Sequence, residues 1–182
     1  KYVDGYLAEV KKLADTMRTE TEEKNRMLAD GTLAAWGYNG EGEFGDGTTN
    51  SSLVPVAVPM AGALTGKTVV AIAAGDYHNL ALCSDGTLVS WGYNIKGQLG
   101  DNTETTSLLP VLVDTTGVLS GKTVTAVTAG SLFSAALCSD GTVATWGLNT
   151  WGQLGNNSFA RSPVPVAVVL FNTSERRRLS RA

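Results

Sequence analysis

His78 is the only histidine of the chain, and Asp76 stands two residues before it. A carboxylate beside an imidazole is half of a general acid–base pair. Gly40-Glu41-Gly42-Glu43-Phe44-Gly45 has the spacing of a dinucleotide fingerprint, whose glycines let the backbone approach a pyrophosphate. Glu41, Glu43, Asp46, Asp101 and Glu104 place carboxylates where a cation could be recruited. Cys83 and Cys138 offer a thiol pair. Asn50, Asn156 and Asn172 each open an Asn-x-Ser/Thr triplet, which matters only in a secretory pathway. Arg177-Arg178-Leu179-Ser180 has the form of a basophilic kinase site, a form that polar tails produce by chance.

The surroundings favour plainer roles. A dinucleotide loop must run into a helix, yet Asp46-Gly47-Thr48-Thr49-Asn50-Ser51-Ser52 follows here. Ile95 and Thr150 replace the first glycine in two later segments, so the glycines read as turn residues. Ser131 and Phe133 stand 55 residues after Asp76 and His78, and the imidazole reads as a packed, hydrogen-bonded side chain. The acidic loop residues lack the spacing of a calcium loop and read as a solvated rim that could face a basic partner.

The element behind these choices is a repeat. Asp-Gly-Thr begins at Asp30, Asp85 and Asp140, and Trp-Gly follows at Trp36, Trp91 and Trp146. Asn39, Asn94 and Asn149 come next, then the pairs Gly42/Gly45, Gly97/Gly100 and Gly152/Gly155, every step being 55 residues. Such a period marks a solenoid or a propeller. Cys83 and Cys138 also lie one period apart, at equivalent places in neighbouring sheets. Sheets pack about 10 Å apart, beyond the roughly 7 Å Cα limit of a disulfide, so two buried free thiols are expected.

Each complete copy spells four short strands. Thr68–Ala74 and Thr123–Ala129 are β-branched runs, followed by His78–Cys83 and Phe133–Cys138. Asp85-Gly86 and Asp140-Gly141 are hairpin signals leading into Thr87–Trp91 and Thr142–Trp146. Pro110 and Pro165 make the fourth runs edge strands, because proline removes a ladder donor. The first copy starts part-way through, with two strands near Leu33–Trp36 and Val54–Val58. The fold class is therefore mainly β, a partial β-propeller of about two and a half four-stranded blades.

The expected boundaries are 29–170 for the repeats, divided as 29–65, 66–120 and 121–170. Before them, Val3, Tyr6, Leu7, Val10, Leu13, Ala14 and Met17 recur at helical steps, so 1–28 reads as an amphipathic N-terminal helix. It would pack on the repeats or form a short coil. Residues 171–182, with Arg176, Arg177, Arg178 and Arg181, read as a basic disordered tail. The chain opens on Lys1 and reads as an excerpt or a processed product. Residues 31–170 hold 4 basic and 9 acidic side chains, which leaves the repeats without the field that phosphate binding needs. No apolar run is long enough to span a bilayer as a helix.

Trp91-Gly92-Tyr93-Asn94-Ile95-Lys96-Gly97-Gln98-Leu99-Gly100 and Trp146-Gly147-Leu148-Asn149-Thr150-Trp151-Gly152-Gln153-Leu154-Gly155 resemble the regulator of chromosome condensation repeat family. Ala74-Gly75-Asp76-Tyr77-His78-Asn79-Leu80-Ala81-Leu82 resembles the segment that precedes them in that family, where His78 is a repeat residue. The resemblance implies a β-propeller, usually of seven blades, and a protein-binding surface. Its members include an exchange factor for a small GTPase, ubiquitin-ligase accessory domains and bacterial secreted or surface proteins. This chain departs at Glu43, Phe44 and Phe133, and in its number of blades. No insertion between copies resembles the wedge by which an exchange factor opens a GTPase.

The reading is thus a non-enzymatic protein-interaction module without cofactor, metal, nucleic acid or membrane. Its loop face would present Tyr93, Ile95, Lys96, Trp151 and Phe159 to a protein partner, since loop aromatics are common anchors. Trp151 leads, because the other copies carry no aromatic there and the repeat does not require it. The alternatives are a guanine-nucleotide exchange factor and a structural fragment of a larger propeller. Copies could also complete a ring as a homo-oligomer. The compartment stays open, with the bacterial secreted and surface members favoured.

Overall fold

A computed structural model describes residues 25–27, for their backbone, and residues 32–169. The first sheet contains β1 (Asn25–Met27), β2 (Leu33–Gly37) and β3 (Ser52–Val58). The second contains β4 (Val69–Ala74), β5 (His78–Cys83), β6 (Leu88–Gly92) and β7 (Ser107–Leu112). The third contains β8 (Val124–Ala129), β9 (Phe133–Cys138), β10 (Val143–Gly147) and β11 (Ser162–Ala167). Every pairing is antiparallel between strands adjacent in sequence. β4 lies beside both β1 and β8, so the leading strands gather on one side of the stack. Pro55, Pro110 and Pro165 lie in β3, β7 and β11, the opposite edges, where a missing ladder donor costs nothing.

The 55-residue period holds in the pairing register. Asn25 faces Ala35, Leu80 faces Ser90, and Ala135 faces Thr145. The third strand of each copy breaks register just before its Trp-Gly glycine. At Gly92 φ is +101°, and a Cβ would come within 2.5 Å of the Tyr77 carbonyl oxygen. Only glycine meets both demands of this bulge.

Burial divides the core into two layers. Leu33, Phe44, Val58, Leu64, Ala81, Val89 and Trp91 fill the space between the first and second sheets. Leu80, Leu82, Leu88, Leu119, Ala136, Ala144 and Trp146 fill the next. The alternation of β5 is the reason: its even and odd residues feed different layers, so the strand is buried along its whole length. The far face of the third sheet is open. Leu82 is 5% exposed, whereas its counterpart Leu137 is 42% exposed. Cys83 and Cys138 are free, buried thiols, and burial raises the pKa of both.

Two expectations change. The first copy has three strands, not two, and Asn25–Met27 is a strand where the end of an N-terminal helix was expected. Asn-Arg-Met shares nothing with Leu80-Ala81-Leu82, but ladder hydrogen bonds with β2 are made by the backbone and do not require that likeness. Residues 1–24, which carry the expected helix, and the 171–182 tail lie outside the described residues.

Candidate protein-interaction face

Strands β2, β6 and β10 all end at the same end of the stack, and β5 and β9 begin there. The loops that leave this end, 38–51, 93–106 and 148–161, are built alike. Buried Asn94 is the brace of the second. Its Oδ1 accepts from the Leu99 amide at 2.9 Å, and its Nδ2 donates to the Thr103 and Thr105 carbonyls at 3.2 and 3.1 Å. Asn39 serves Phe44, Thr48 and Asn50 in the same way, and Asn149 serves Leu154, Ser158 and Ala160. A buried side chain with one acceptor and two donors can hold both arms of a loop at once.

The first and second loops each dock on the next copy through one carbonyl. The Glu43 carbonyl accepts from Trp91 Nε1 at 2.8 Å and from Asn79 Nδ2 at 2.6 Å. The Gln98 carbonyl accepts from Trp146 Nε1 at 3.0 Å and from Ser134 Oγ at 2.9 Å. His78 Nε2 lies 2.8 Å from the same Ser134 Oγ. Because that hydroxyl donates to Gln98, the imidazole donates to it, which puts the proton on Nε2. Burial holds the His78 pKa down at about 4, against a smaller upward pull from Asp76. The imidazole is a structural link between copies, as its packed reading requires.

The glycine run has a different use from the one its spacing suggests. Gly42 and Gly45 form turns that continue into β3 rather than into a helix. Gly40 lies under the Tyr38 ring, where a Cβ would fall 2.0 Å from the hydroxyl oxygen. Of the acidic loop residues, Glu43 is only 2% exposed and is not part of a solvated rim. Its Oε2 accepts from the Glu41 amide at 3.0 Å, as Gln98 Oε1 does from Lys96 and Gln153 Oε1 from Trp151. Asp46 and Asp101 accept from Thr48 and Thr103 two residues on, and Glu104 makes a two-pronged pair with Arg161 at 2.6 and 2.8 Å. At the other end of the stack, Lys67 and Lys122 pair with Asp85 and Asp140. The hydrogen bonds from lysine and threonine lower both Asp pKa values to about 2.

The five loop residues expected to bind fall into separate places on this face. Trp151 is 88% exposed and Phe159 77%, and the Phe159 ring lies beside Gly152, next to Trp151. Ile95 is exposed and Lys96 half-buried on the preceding loop. Tyr93 turns instead toward Tyr77, with ring centroids 6.1 Å apart and planes at 61°. Those two rings, Tyr38, Glu41 and Leu132 line one open cavity of about 410 Å³. Of this group the sequence reading singled out Tyr93 as a binding residue and Glu41 as part of an acidic rim. The period held the signal for a further member, because Tyr38 and Tyr93 occupy the same place in successive copies. Tyr77 comes from a different turn, and only the fold brings it there.

Comparison with known proteins accounts for this construction. The pattern described as the regulator of chromosome condensation (RCC1) repeat matches residues 30–82, 85–137 and 140–178. A second pattern of the same description matches 69–98 and 124–153. The chain is 32% identical over 139 residues to the ultraviolet-B receptor UVR8 of Arabidopsis thaliana, covering 76% of this chain and 30% of that protein. It is 34% identical over 132 residues to the RCC2 homologue of Danio rerio, covering 72% and 26%. Among solved structures, human WBSCR16 superposes with a TM-score of 0.67 at 27% identity, over 78% of this chain and 34% of that one. Prp20p of Saccharomyces cerevisiae does so with a TM-score of 0.66 at 25% identity, over 84% and 37%. The chain thus spans about a third or less of these relatives' length. Three pattern matches in a row, on sheets that repeat every 55 residues, place the chain in the regulator of chromosome condensation (RCC1) repeat family.

Proposed function

We propose that this chain is a non-enzymatic protein-interaction module that holds its partner at the loop end of the sheets. The observation that carries the reading is the exposure of Trp151 and Phe159, both on the third loop. Trp151 stands where the other copies have Glu41 and Lys96, so the fold has no need of an indole there. A large ring held in water on a braced loop fits a binding anchor, whose burial by a partner returns the cost of its exposure. The solved structure of Prp20p is described with its binding to Gsp1p and histones, which supports protein recognition as the use of such repeats.

The test is site-specific photocrosslinking in the source cells. A photoreactive phenylalanine at position 151 is compared with one at Thr115, at the opposite end of the stack. A discrete adduct from position 151, absent from position 115 and lost on competition with unlabelled protein, is expected. Equal adducts from both positions would end the loop-face reading.

A further inference from the structure

The Tyr38, Tyr77 and Tyr93 cavity has a composition that the repeat does not explain. Leu132 and Leu148 occupy the places of Tyr77 and Tyr93 one copy later. The backbone is the same in both, since the Tyr93 and Leu148 amides donate to the Tyr77 and Leu132 carbonyls, each at 2.8 Å. Leucine therefore satisfies the fold, and the phenol rings answer to something else. Gly40 belongs to the same arrangement, because it alone of the three loops' residues at that place lets a ring lie across the turn.

Charge narrows the ligand. Glu104, Asp85 and Asp140 each have a cationic partner. Glu41, which lines the cavity, has no ion pair among the described residues. Its amide is held by Glu43 Oε2, so the carboxylate is carried on a fixed loop. Aromatic faces attract cations, and one carboxylate beside three tyrosine rings selects a positive group over a neutral one. The depression is open and wet, which favours a planar, weakly hydrated cation over a compact ammonium. Leu132 supplies an apolar wall for an alkyl stem.

We infer that this cavity receives an arginine side chain of a protein partner. Its guanidinium stacks on the tyrosine rings and forks onto Glu41, while its methylenes lie along Leu132. The inference rests on the loop end being the binding face. It identifies the chemistry that the face selects, at a place separate from Trp151.

The test uses the peptide Ac-Gly-Arg-Gly-NH2 and its citrulline counterpart, which keeps the shape and loses the charge. Both are titrated into the full chain while the tyrosine ring resonances are followed by NMR. The arginine peptide is expected to shift the Tyr38, Tyr77 and Tyr93 signals saturably at millimolar concentrations, and the citrulline peptide to bind at least fivefold more weakly. Glu41→Gln should weaken the arginine peptide about fivefold, the size of one exposed ion pair. The double variant Tyr77→Leu/Tyr93→Leu, which copies Leu132 and Leu148, should abolish binding with its circular dichroism unchanged. If that variant fails to fold, Glu41→Gln and the citrulline peptide decide the matter alone. Equal affinity for the two peptides, tighter binding of Ac-Gly-Lys-Gly-NH2, or shifts mapping elsewhere would overturn the assignment. Such a failure with crosslinking at position 151 intact removes the arginine pocket and leaves the loop-face reading. Arginine binding without crosslinks from position 151 keeps the pocket and removes Trp151 as the anchor.

Discussion

The indole of Trp146 donates a hydrogen bond to the backbone carbonyl of Gln98, 48 residues before it, at 3.0 Å. Trp91 bridges the same 48 residues back to Glu43. The repeat tryptophan is thus both the largest buried side chain of its layer and the pin that holds one copy's loop on the next.

The two roles separate by mutation. Trp146→Phe keeps most of the ring and removes the donor, leaving Ser134 as the remaining partner of the Gln98 carbonyl. A loss of about 1 kcal/mol in urea denaturation is expected. Trp146→Ala also opens a cavity and should cost about 3–5 kcal/mol. Trp36 is only half-buried, and its indole has no acceptor among the described residues. Trp36→Phe should therefore change stability by less than about 0.5 kcal/mol.

Acid should loosen the joint between the second and third sheets. The His78 pKa is lowered from 6.5 to about 4 by burial, so the folded state prefers the neutral ring. Between those values the unfolded chain binds the extra proton. The stability contributed by His78 is fully present above pH 6.5 and is lost as pH falls toward 4, by about 3 kcal/mol in all. His78→Phe removes this dependence. It is tolerated in shape because Phe133 fills the equivalent place over Gly130, as His78 does over Gly75. Denaturation midpoints at pH 7.5, 5.5 and 4.5 would show a smaller fall for the variant than for the parent.

Asn94→Ala deletes a side chain that bonds both arms of its loop and is itself buried. The Leu99 amide is left buried without its acceptor. A destabilisation of more than about 2 kcal/mol is expected. Asn94→Asp keeps the acceptor but sets a buried carboxylate against the Thr103 and Thr105 carbonyls and the Asp101 carboxylate, and should cost at least as much as Asn94→Ala.

Trp151→Ala should leave the thermal midpoint within about 1 °C, because the indole is 88% exposed and nothing of the fold rests on it. The same variant should lose most of the affinity for whatever partner position 151 crosslinks, measured by titration. A lower midpoint would make Trp151 part of the fold rather than of its surface.

The propeller sheets were legible in the sequence because each copy repeats one set of constraints. Asp85-Gly86 gives the hairpin, Gly92 the bulge, Asn94 the loop and Pro110 the edge, and each recurs one period away. β1 was not legible, since its pairing with β2 is written in backbone groups that every residue shares. Burial of Glu43 was hidden too. The family glutamine at that place acts through its oxygen, and a carboxylate reproduces that part unseen from composition. Trp151 stood out as a departure from the repeat, and the same rule extended to Tyr77 would have marked the cavity. What the rule cannot supply is proximity: Tyr38, Tyr77 and Leu132 come from three turns that meet only when the sheets stack.

The carbonyl–indole link gives the array a direction. At one end the Trp36 indole has no acceptor among the described residues, while at the other the Gln153 carbonyl meets no indole among them. These two ends are plug and socket rather than copies of one surface. Like does not fit like, so a two-fold contact through either end does not reproduce the carbonyl–indole link. A further sheet that extends the stack through this link, of the same polypeptide or of a second molecule, joins it head to tail.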